Sequence, residues 1–190
     1  LAILAGQGYL MDAFADFAGG FQSPEKEKSD AYRAAETAHQ HRLKTAMAQT
    51  GAYDVFFITD QGDIIATAAR ESDAWTNLAQ GPYTDSNLAE AWKKAMSKPY
   101  SGTAGRVIGD FTYYEPSSAQ AAFMVMRFAP GSKARGQWAK GESIGCIALQ
   151  IPVEAINRIA QSREGMGKTG ETYFVGQQNG GWGTLPFCYL

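Results

Sequence analysis

Cysteine is scarce in this sequence, and neither charge of one sign nor apolar residues are concentrated in long runs. Two cysteines in 190 residues cannot form a disulfide framework, and their spacing matches no zinc motif. The 17 basic and 19 acidic side chains give a net charge of −2, so the basic surface typical of nucleic-acid binding is missing. No apolar run approaches the roughly twenty residues that span a bilayer. These absences argue against a disulfide-rich, zinc-binding, nucleic-acid-binding or membrane-spanning chain and indicate an ordinary globular protein.

Apolar residues make up 45% of the chain, enough for one compact domain or one domain plus a fragment of another. The sequence opens at Leu1 without a methionine, and no charged segment typical of a signal peptide precedes the first apolar stripe. We therefore expect a piece cut from a longer protein. Composition alone leaves its compartment open.

Two helices are predicted before residue 51. Residues 1–22 carry an apolar stripe at helical spacing. Ser23 and Pro24 then have the pattern of a helix start, and Gly51 that of a helix end. A helix of that length measures about 40 Å, longer than a small sheet requires, which suggests a stalk or a dimer seam. Its apolar stripe consists of Tyr32, Ala35, His39, Leu43, Ala46 and Met47.

The remaining pattern predicts an α+β fold. A helix follows Asn87, which forms a possible capping box with Glu90, and another helix starts at Pro152. We expect one antiparallel five-stranded sheet, with the long N-terminal helices on one face and a shorter helix and loops on the other. Its strands are predicted at residues 53–59, 64–69, 106–114, 121–128 and 143–151, and a further short strand at 171–175.

Two glycine motifs resemble catalytic loops but lie in the wrong context. Gly165, Gly167 and Gly170 satisfy G-x-G-x-x-G, yet a predicted helix precedes them and a strand follows, the reverse of a phosphate-binding loop. Ser143 lies in G-x-S-x-G but enters a strand instead of standing on a strand-to-helix turn. Neither motif supports a nucleotide site or a serine nucleophile.

The remaining reactive side chains give no case for an enzyme, a metal or a cofactor. His39 and His41 are two residues apart on a helix and cannot chelate together; we expect His39 at the edge of the packed stripe and His41 in solvent. Cys146 lies in an apolar strand and is expected in the core, and Cys188 lies in a tail that the pattern does not place.

From residue 53 onward the chain resembles the extracytoplasmic double-Cache sensor domains of bacterial chemoreceptors, sensor histidine kinases and cyclases. The order and spacing of several short blocks over about 125 residues carry the resemblance. The blocks are residues 53–62, 70–73, 76–78, 81–83 with Ser86 and Leu88, 110–111 with Tyr114, Pro116 and Ser117, 122–123, 144–152, 156–157 and 165–176.

The resemblance implies a PAS-like five-stranded sheet behind a long N-terminal helix. It implies three regions: a helical stalk over residues 1–50, a PAS-like Cache sensor module over 51–164, and a connector with the first strand of a truncated second module over 165–190. The function it implies is small-molecule sensing by the periplasmic part of a membrane receptor, homodimeric in the full receptor. The alternative is a ligand-free dimerisation or interaction module of such a receptor.

Five residues are predicted to bind the ligand, between the sheet and residues 70–95. Trp75 and Arg127 stand where the family pattern has glycine and proline, which puts large side chains near the rim of the site. Asp110 and Tyr114 are expected on one strand face because side chains alternate with period two, and Tyr83 lies in the covering segment. Arg127 shares a face with Phe123 and Val125, where it could pair with Asp110 or with an anionic ligand. Core roles for these aromatic residues stay open.

Overall fold

The computed structural model describes residues 8–97, 106–128, 145–160, 175–178 and 181–184. The predicted order of helices and strands is confirmed up to residue 160, whereas the short strand predicted at 171–175 lies, except for Val175, outside the described residues. The elements are α1 (Gly8–Phe21), α2 (Asp30–Thr50), β1 (Asp54–Thr59), β2 (Ile64–Thr67), α3 (Asn87–Ser97), β3 (Arg106–Tyr114), β4 (Ala119–Arg127), β5 (Gly145–Pro152), α4 (Val153–Ala160), β6 (Val175–Gln178) and β7 (Gly181–Thr184).

Five strands form one sheet in the order β2-β1-β5-β4-β3, and each neighbouring pair is antiparallel. The predicted α+β fold with a five-stranded antiparallel sheet is confirmed. β6 and β7 pair with each other as a separate hairpin. The glycine motif at 165–170, Ser143 and Cys188 lie outside the described residues.

The two faces of the sheet are both covered. Val55 and Phe57 point to the face that carries α1 and α2, whereas Phe56 and Ile58 point to the face that carries α3. Each fully buried phenylalanine contributes roughly 1.5–3 kcal/mol relative to an exposed one. One helical layer therefore lies on each side of the sheet. This explains why β1 is buried on both faces, as its continuous apolar run predicts.

The start of α2 differs from the prediction. The helix begins at Asp30, with Ser29 as its N-cap, because the Ser29 hydroxyl accepts a hydrogen bond from the Tyr32 amide (3.1 Å). The same hydroxyl donates to the Gly20 carbonyl (2.9 Å) and so ties the start of α2 to the end of α1. The helix has 21 residues, about 31 Å, and ends at Gly51 as predicted.

The apolar stripe of α2 is covered within the chain. Tyr32, Ala35, His39, Leu43 and Ala46 are all buried against α1 and the sheet. The expectation that this stripe is longer than one sheet can cover, and so packs on a partner chain, is therefore wrong for this face. α1 takes the place that the partner was expected to fill.

α1 and α2 cross closely at a glycine. A Cβ on Gly20 would lie 2.6 Å from the Tyr32 Cα and amide nitrogen, so no larger residue fits without moving backbone. Further along the seam, His39 Nε2 lies 2.7 Å from Asp16 Oδ2. His41 is exposed and Cys146 is buried, as predicted.

α3 starts through a different cap from the one predicted. The Ser86 hydroxyl accepts a hydrogen bond from the Ala89 amide (3.1 Å), so Ser86 caps the helix. Asn87 is buried instead, and its side-chain amide donates to the Asp110 carbonyl (2.9 Å) and the Ala121 carbonyl (2.8 Å). The side chain that was expected to cap the helix therefore fastens α3 to β3 and β4.

Candidate ligand-binding site

Polar side chains are buried on the sheet face that carries α3, at the end where β1 begins and β5 ends. Asp54 on β1 lies opposite Gln150 on β5, and Gln150 lies opposite Phe123 on β4. Asp54 and Gln150 have the same strand parity as Phe56 and Ala148, which belong to the core beneath α3. The sheet thus places a carboxyl and an amide at one edge of an apolar core.

A second carboxyl reaches this region from the segment after β2. The Tyr114 hydroxyl donates to Asp73 Oδ2 (2.5 Å), and the Tyr114 ring packs edge-on against Phe123, with ring centres 4.8 Å apart. Burial raises the pKa of the Asp73 carboxyl to about 6, and the charge of Glu71 adds to the rise, while the bond from Tyr114 opposes it. Burial also raises the pKa of the Tyr114 hydroxyl far above its ordinary range.

Asp54 is held by the backbone. Its Oδ1 accepts hydrogen bonds from the amides of Val55 (2.6 Å), Ala68 (2.8 Å) and Ala69 (2.9 Å), which fixes the end of β2 against β1. These three donors favour the ionised carboxylate. Burial has the larger effect and raises the pKa of Asp54 to about 7, with a smaller contribution from the charge of Asp73.

Five buried side-chain oxygens have no hydrogen-bond partner among the described residues: Asp54 Oδ2, Asp73 Oδ1 and Gln150 Oε1, and also Glu71 Oε2 and Asn87 Oδ1. We call Asp54, Asp73 and Gln150 the acceptor cluster. The amide nitrogen of Gln150 donates to Ser117 Oγ (2.8 Å), so only its oxygen is left over. Because buried polar atoms in proteins are nearly always hydrogen-bonded, these three acceptors require a donor that the described residues do not supply.

The cover over the acceptor cluster is thin and polar. Ser72 Oγ and the Tyr83 hydroxyl lie 2.7 Å apart, and the Tyr53 hydroxyl donates to Glu71 Oε1 (2.6 Å). Both contacts are exposed side-chain pairs, which contribute about 1 kcal/mol or less each.

Of the five predicted ligand-binding residues, the structure brings Tyr83 and Tyr114 together, with ring centres 6.5 Å apart. Trp75 lies elsewhere: its indole nitrogen donates to the Tyr32 hydroxyl on α2 (2.9 Å). The backbone of Trp75 has φ +64°, the left-handed region that favours glycine. Trp75 therefore keeps the backbone conformation of the glycine expected in the family pattern.

Asp110 and Tyr114 do not share a face, which corrects the parity prediction. β3 carries a bulge between Gly109 and Thr112. Gly109 pairs with Phe123 and Thr112 pairs with Ala121, so an advance of three residues along β3 matches an advance of two along β4. The bulge reverses the alternation of side chains. As a result Tyr114 points into the core and Asp110 is exposed.

Arg127 does share the face of Phe123 and Val125 by parity, but it lies at the other end of β4. It pairs with Cys146, four residues along β5 from Gln150, or about 13 Å. Its charge acts on the Cys146 thiol, where it opposes the rise in pKa that burial causes. Arg127 and the acceptor cluster are therefore separate features of this face.

Sequence reasoning missed all three members of the acceptor cluster. Asp54 opens a buried strand and Gln150 interrupts the apolar run of β5, and both positions are unusual places for polar side chains. Asp73 gives no such signal, because it lies in a polar segment. Only the fold brings it to Tyr114.

Neither a metal nor a membrane span is indicated in the described parts of the chain. They contain no group of three or more His, Cys, Asp and Glu side chains arranged to hold a metal ion. Likewise, none of the described helices combines the length and apolar character needed to cross a membrane.

No protein-family model matches the sequence, and no curated protein does. The fold is similar to that of the sensor domain of the V. cholerae histidine kinase DctB, with a TM-score of 0.51 and 15% identity over 81% of this chain and 49% of that chain. The ligand-binding domain of the Pseudomonas fluorescens chemoreceptor CtaA, solved with L-serine, has a TM-score of 0.46 and 12% identity over 86% of this chain and 57% of that chain. The chain thus spans about half the length of these structures.

Proposed function

We propose that this chain, which has the PAS-like fold of Cache sensor domains, is the ligand-binding part of a bacterial signalling receptor and not an enzyme. A small molecule would bind at the acceptor cluster, beneath Tyr83 and beside Tyr114. The observation that supports this most is the set of buried oxygens to which no described residue donates, next to two exposed side-chain hydrogen bonds. Unpartnered buried acceptors are costly, and a ligand that donates to them would recover that cost.

A thermal-shift screen against amino acids, organic acids, amines and purines tests this function. A compound at about a hundredfold excess over its Kd stabilises the folded state by roughly 2.7 kcal/mol. We expect Tyr114→Phe to weaken binding of that compound at least fivefold, because it removes the hydroxyl that donates to Asp73 Oδ2. Arg127→Ala, about 13 Å away along the strands, is the matched control. Unchanged affinity in a folded Tyr114→Phe protein would place the ligand elsewhere.

The alternative is a ligand-free dimerisation or interaction module. Aromatic rings favour it, because Phe56, Phe123 and Tyr114 pack edge-on in succession beneath α3 and Tyr83 adjoins them. These rings occupy much of the face where a ligand was expected. A screen in which no compound raises the melting temperature would favour this alternative.

Signals would pass from the covering segment to α2. Two contacts join them: Trp75 Nε1 to the Tyr32 hydroxyl (2.9 Å) and Arg70 to Glu36 (2.7 Å). Gln40 Nε2 also donates to the Thr67 carbonyl (2.8 Å) and so ties α2 to the end of β2. The Tyr32 hydroxyl also donates to the Ile65 carbonyl (2.7 Å). Movement of the segment around Asp73 would therefore pull on the long helix.

A double-mutant cycle measures the Trp75–Tyr32 link. Trp75→Gly loses one hydrogen bond but relieves a left-handed backbone that costs about 1–2 kcal/mol in non-glycine residues, so we expect little net change in stability. Tyr32→Phe loses both bonds of its hydroxyl. In the Trp75→Gly background we expect Tyr32→Phe to cost about 1 kcal/mol less than in the wild type. Strictly additive urea-unfolding energies would show that the link carries no coupling.

The proposal extends to the domain boundaries, the cellular location and the oligomeric state of the receptor. The sensor module comprises residues 51–164 with the N-terminal helices of residues 1–50 packed on it, and residues 165–190 connect to a second module. We propose a periplasmic location and a homodimer in the full receptor. Because the buried stripe of α2 is occupied, the partner would contact the opposite side, where Ala15, Gly19, Ala31, Ala34 and Ala38 line a shallow groove between α1 and α2.

A further inference from the structure

We propose that the ligand presents a positively charged N–H donor group, a primary ammonium or a guanidinium, to the acceptor cluster of Asp54, Asp73 and Gln150. This inference rests on the proposed function and adds the chemical class of the ligand. It follows from the kind of atom that is left without a partner, from the charge of the site and from the direction in which the site can open.

All three unpartnered atoms of the cluster are oxygens. Asp54 and Asp73 are 0% exposed and Gln150 is 1% exposed, so bulk water does not reach them. The amide oxygen of Gln150 is independent of the two carboxyls and lies on the same face as Asp54. Once Asp54 and Asp73 are ionised, their oxygens can only accept, so a carboxylate or phosphate ligand would meet no donor on either carboxyl. An ammonium offers three donors and a guanidinium five.

The charge of the site favours the same class. Burial makes both carboxyls costly to ionise, and nearby acids add to that cost, since Asp73 acts on Asp54 and Glu71 acts on Asp73. Among the described residues, the ion pairs engage other carboxylates: Asp30, Asp16, Glu36 and Glu90. A bound cation would supply the missing counter-charge in a buried place, where such pairs are strongest.

The geometry fixes where the cationic group would lie. Tyr114 already donates to Asp73 Oδ2, so the free Oδ1 is the atom that a ligand would contact. Entry would open the Ser72–Tyr83 and Tyr53–Glu71 contacts, whose aromatic rings border the path. The rest of the ligand would then lie against Tyr83, at the exposed side of the cluster.

A matched series of four-carbon compounds tests the class on the wild-type chain. We would measure the melting temperature with putrescine, 4-aminobutanol, 1,4-butanediol and succinate, which share a carbon chain and differ in their end groups. We expect a rise with both amines and none with the diol or succinate. Absence of a rise with either amine, or a rise with succinate alone, would overturn the amine class. The proposed function itself fails only if the broader screen finds no compound at all.

Asp73→Asn adds a readout that a merely structural role of Asp73 would not give. Its amide oxygen can accept from Tyr114, while its amide nitrogen takes the position of Oδ1 and donates into the cluster. We expect this variant to melt at a higher temperature than the wild type without ligand, and to bind putrescine at least tenfold more weakly. Asp85→Asn, on the exposed turn before α3, is the matched control. Unchanged putrescine affinity in Asp73→Asn would overturn the proposal.

Discussion

Between about pH 4 and about pH 8, we expect the wild-type protein to lose roughly 3 kcal/mol of unfolding free energy relative to Asp54→Asn. Asp54 is fully buried, and burial raises its pKa in the folded state to about 7 from its ordinary value of 3.8. The charged form is disfavoured by burial and by the charge of Asp73, and no described residue donates to Oδ2. At low pH both side chains are neutral, so the two proteins differ least there.

The direction follows from proton binding. A carboxyl whose pKa is higher in the folded state keeps its proton in that state after the unfolded chain has released one. The folded state therefore binds more protons across this range, and stability falls as pH rises through the folded pKa. Asp73, with a folded pKa of about 6, changes stability in the same direction, so the wild-type protein should be most stable in mild acid.

Urea unfolding of the two proteins at several pH values checks this expectation. Asp85→Asn removes one exposed carboxyl and controls for the loss of formal charge. A difference between wild type and Asp54→Asn that stays constant, or grows in favour of the wild type as pH rises, would mean that the three backbone amides keep Asp54 ionised in the folded protein.

Replacing either of two neighbouring glycines in α1 by alanine should change the free energy of unfolding, with opposite signs at the two positions. Gly20→Ala places a methyl group 2.6 Å from the Tyr32 backbone, so α1 and α2 must separate, and we expect a loss of about 2–3 kcal/mol. Gly19→Ala places it in open space. Alanine is the better helix former, so we expect a gain of about 0.5–1 kcal/mol there.

Chemical denaturation of both variants gives the comparison, with each acting as the control for the other. Equal effects would show that the helices do not pack at Gly20 as described. Gly19 also lines the groove proposed for the partner chain. In the intact receptor, Gly19→Ala should therefore weaken the homodimer while leaving each subunit stable; an unchanged dimer would exclude this groove.

The arrangement of helices and strands could be predicted because local patterns determine it. The apolar run of β1 faces two helical layers, and Gly51 ends α2 with φ +66° as its position predicts. The start of α2 could not be chosen by pattern alone, since Ser23 and Ser29 both suit an N-cap. The contact of Ser29 with Gly20, made across nine residues, decides between them.

The binding site was less accessible to sequence reasoning for two physical reasons. Strand parity locates side chains only in a regular strand, and the bulge between Gly109 and Thr112 reverses it between Asp110 and Tyr114. Long-range pairing brings Asp73 to Tyr114 over a separation of 41 residues, and no local pattern encodes that distance. Trp75 was recognised as a departure from glycine, but its bond to Tyr32 depends on the packing of α2.

The central claim is that a small molecule binds at the acceptor cluster, and an amide chemical-shift map of the chain tests it most directly. Spectra would be compared with and without the compound that raises the melting temperature most. The account predicts shifts concentrated at Asp54, Asp73, Tyr114 and Gln150, with weaker shifts reaching Tyr32 on α2. Shifts confined to the groove between α1 and α2, with none at Asp73 or Tyr114, would contradict it.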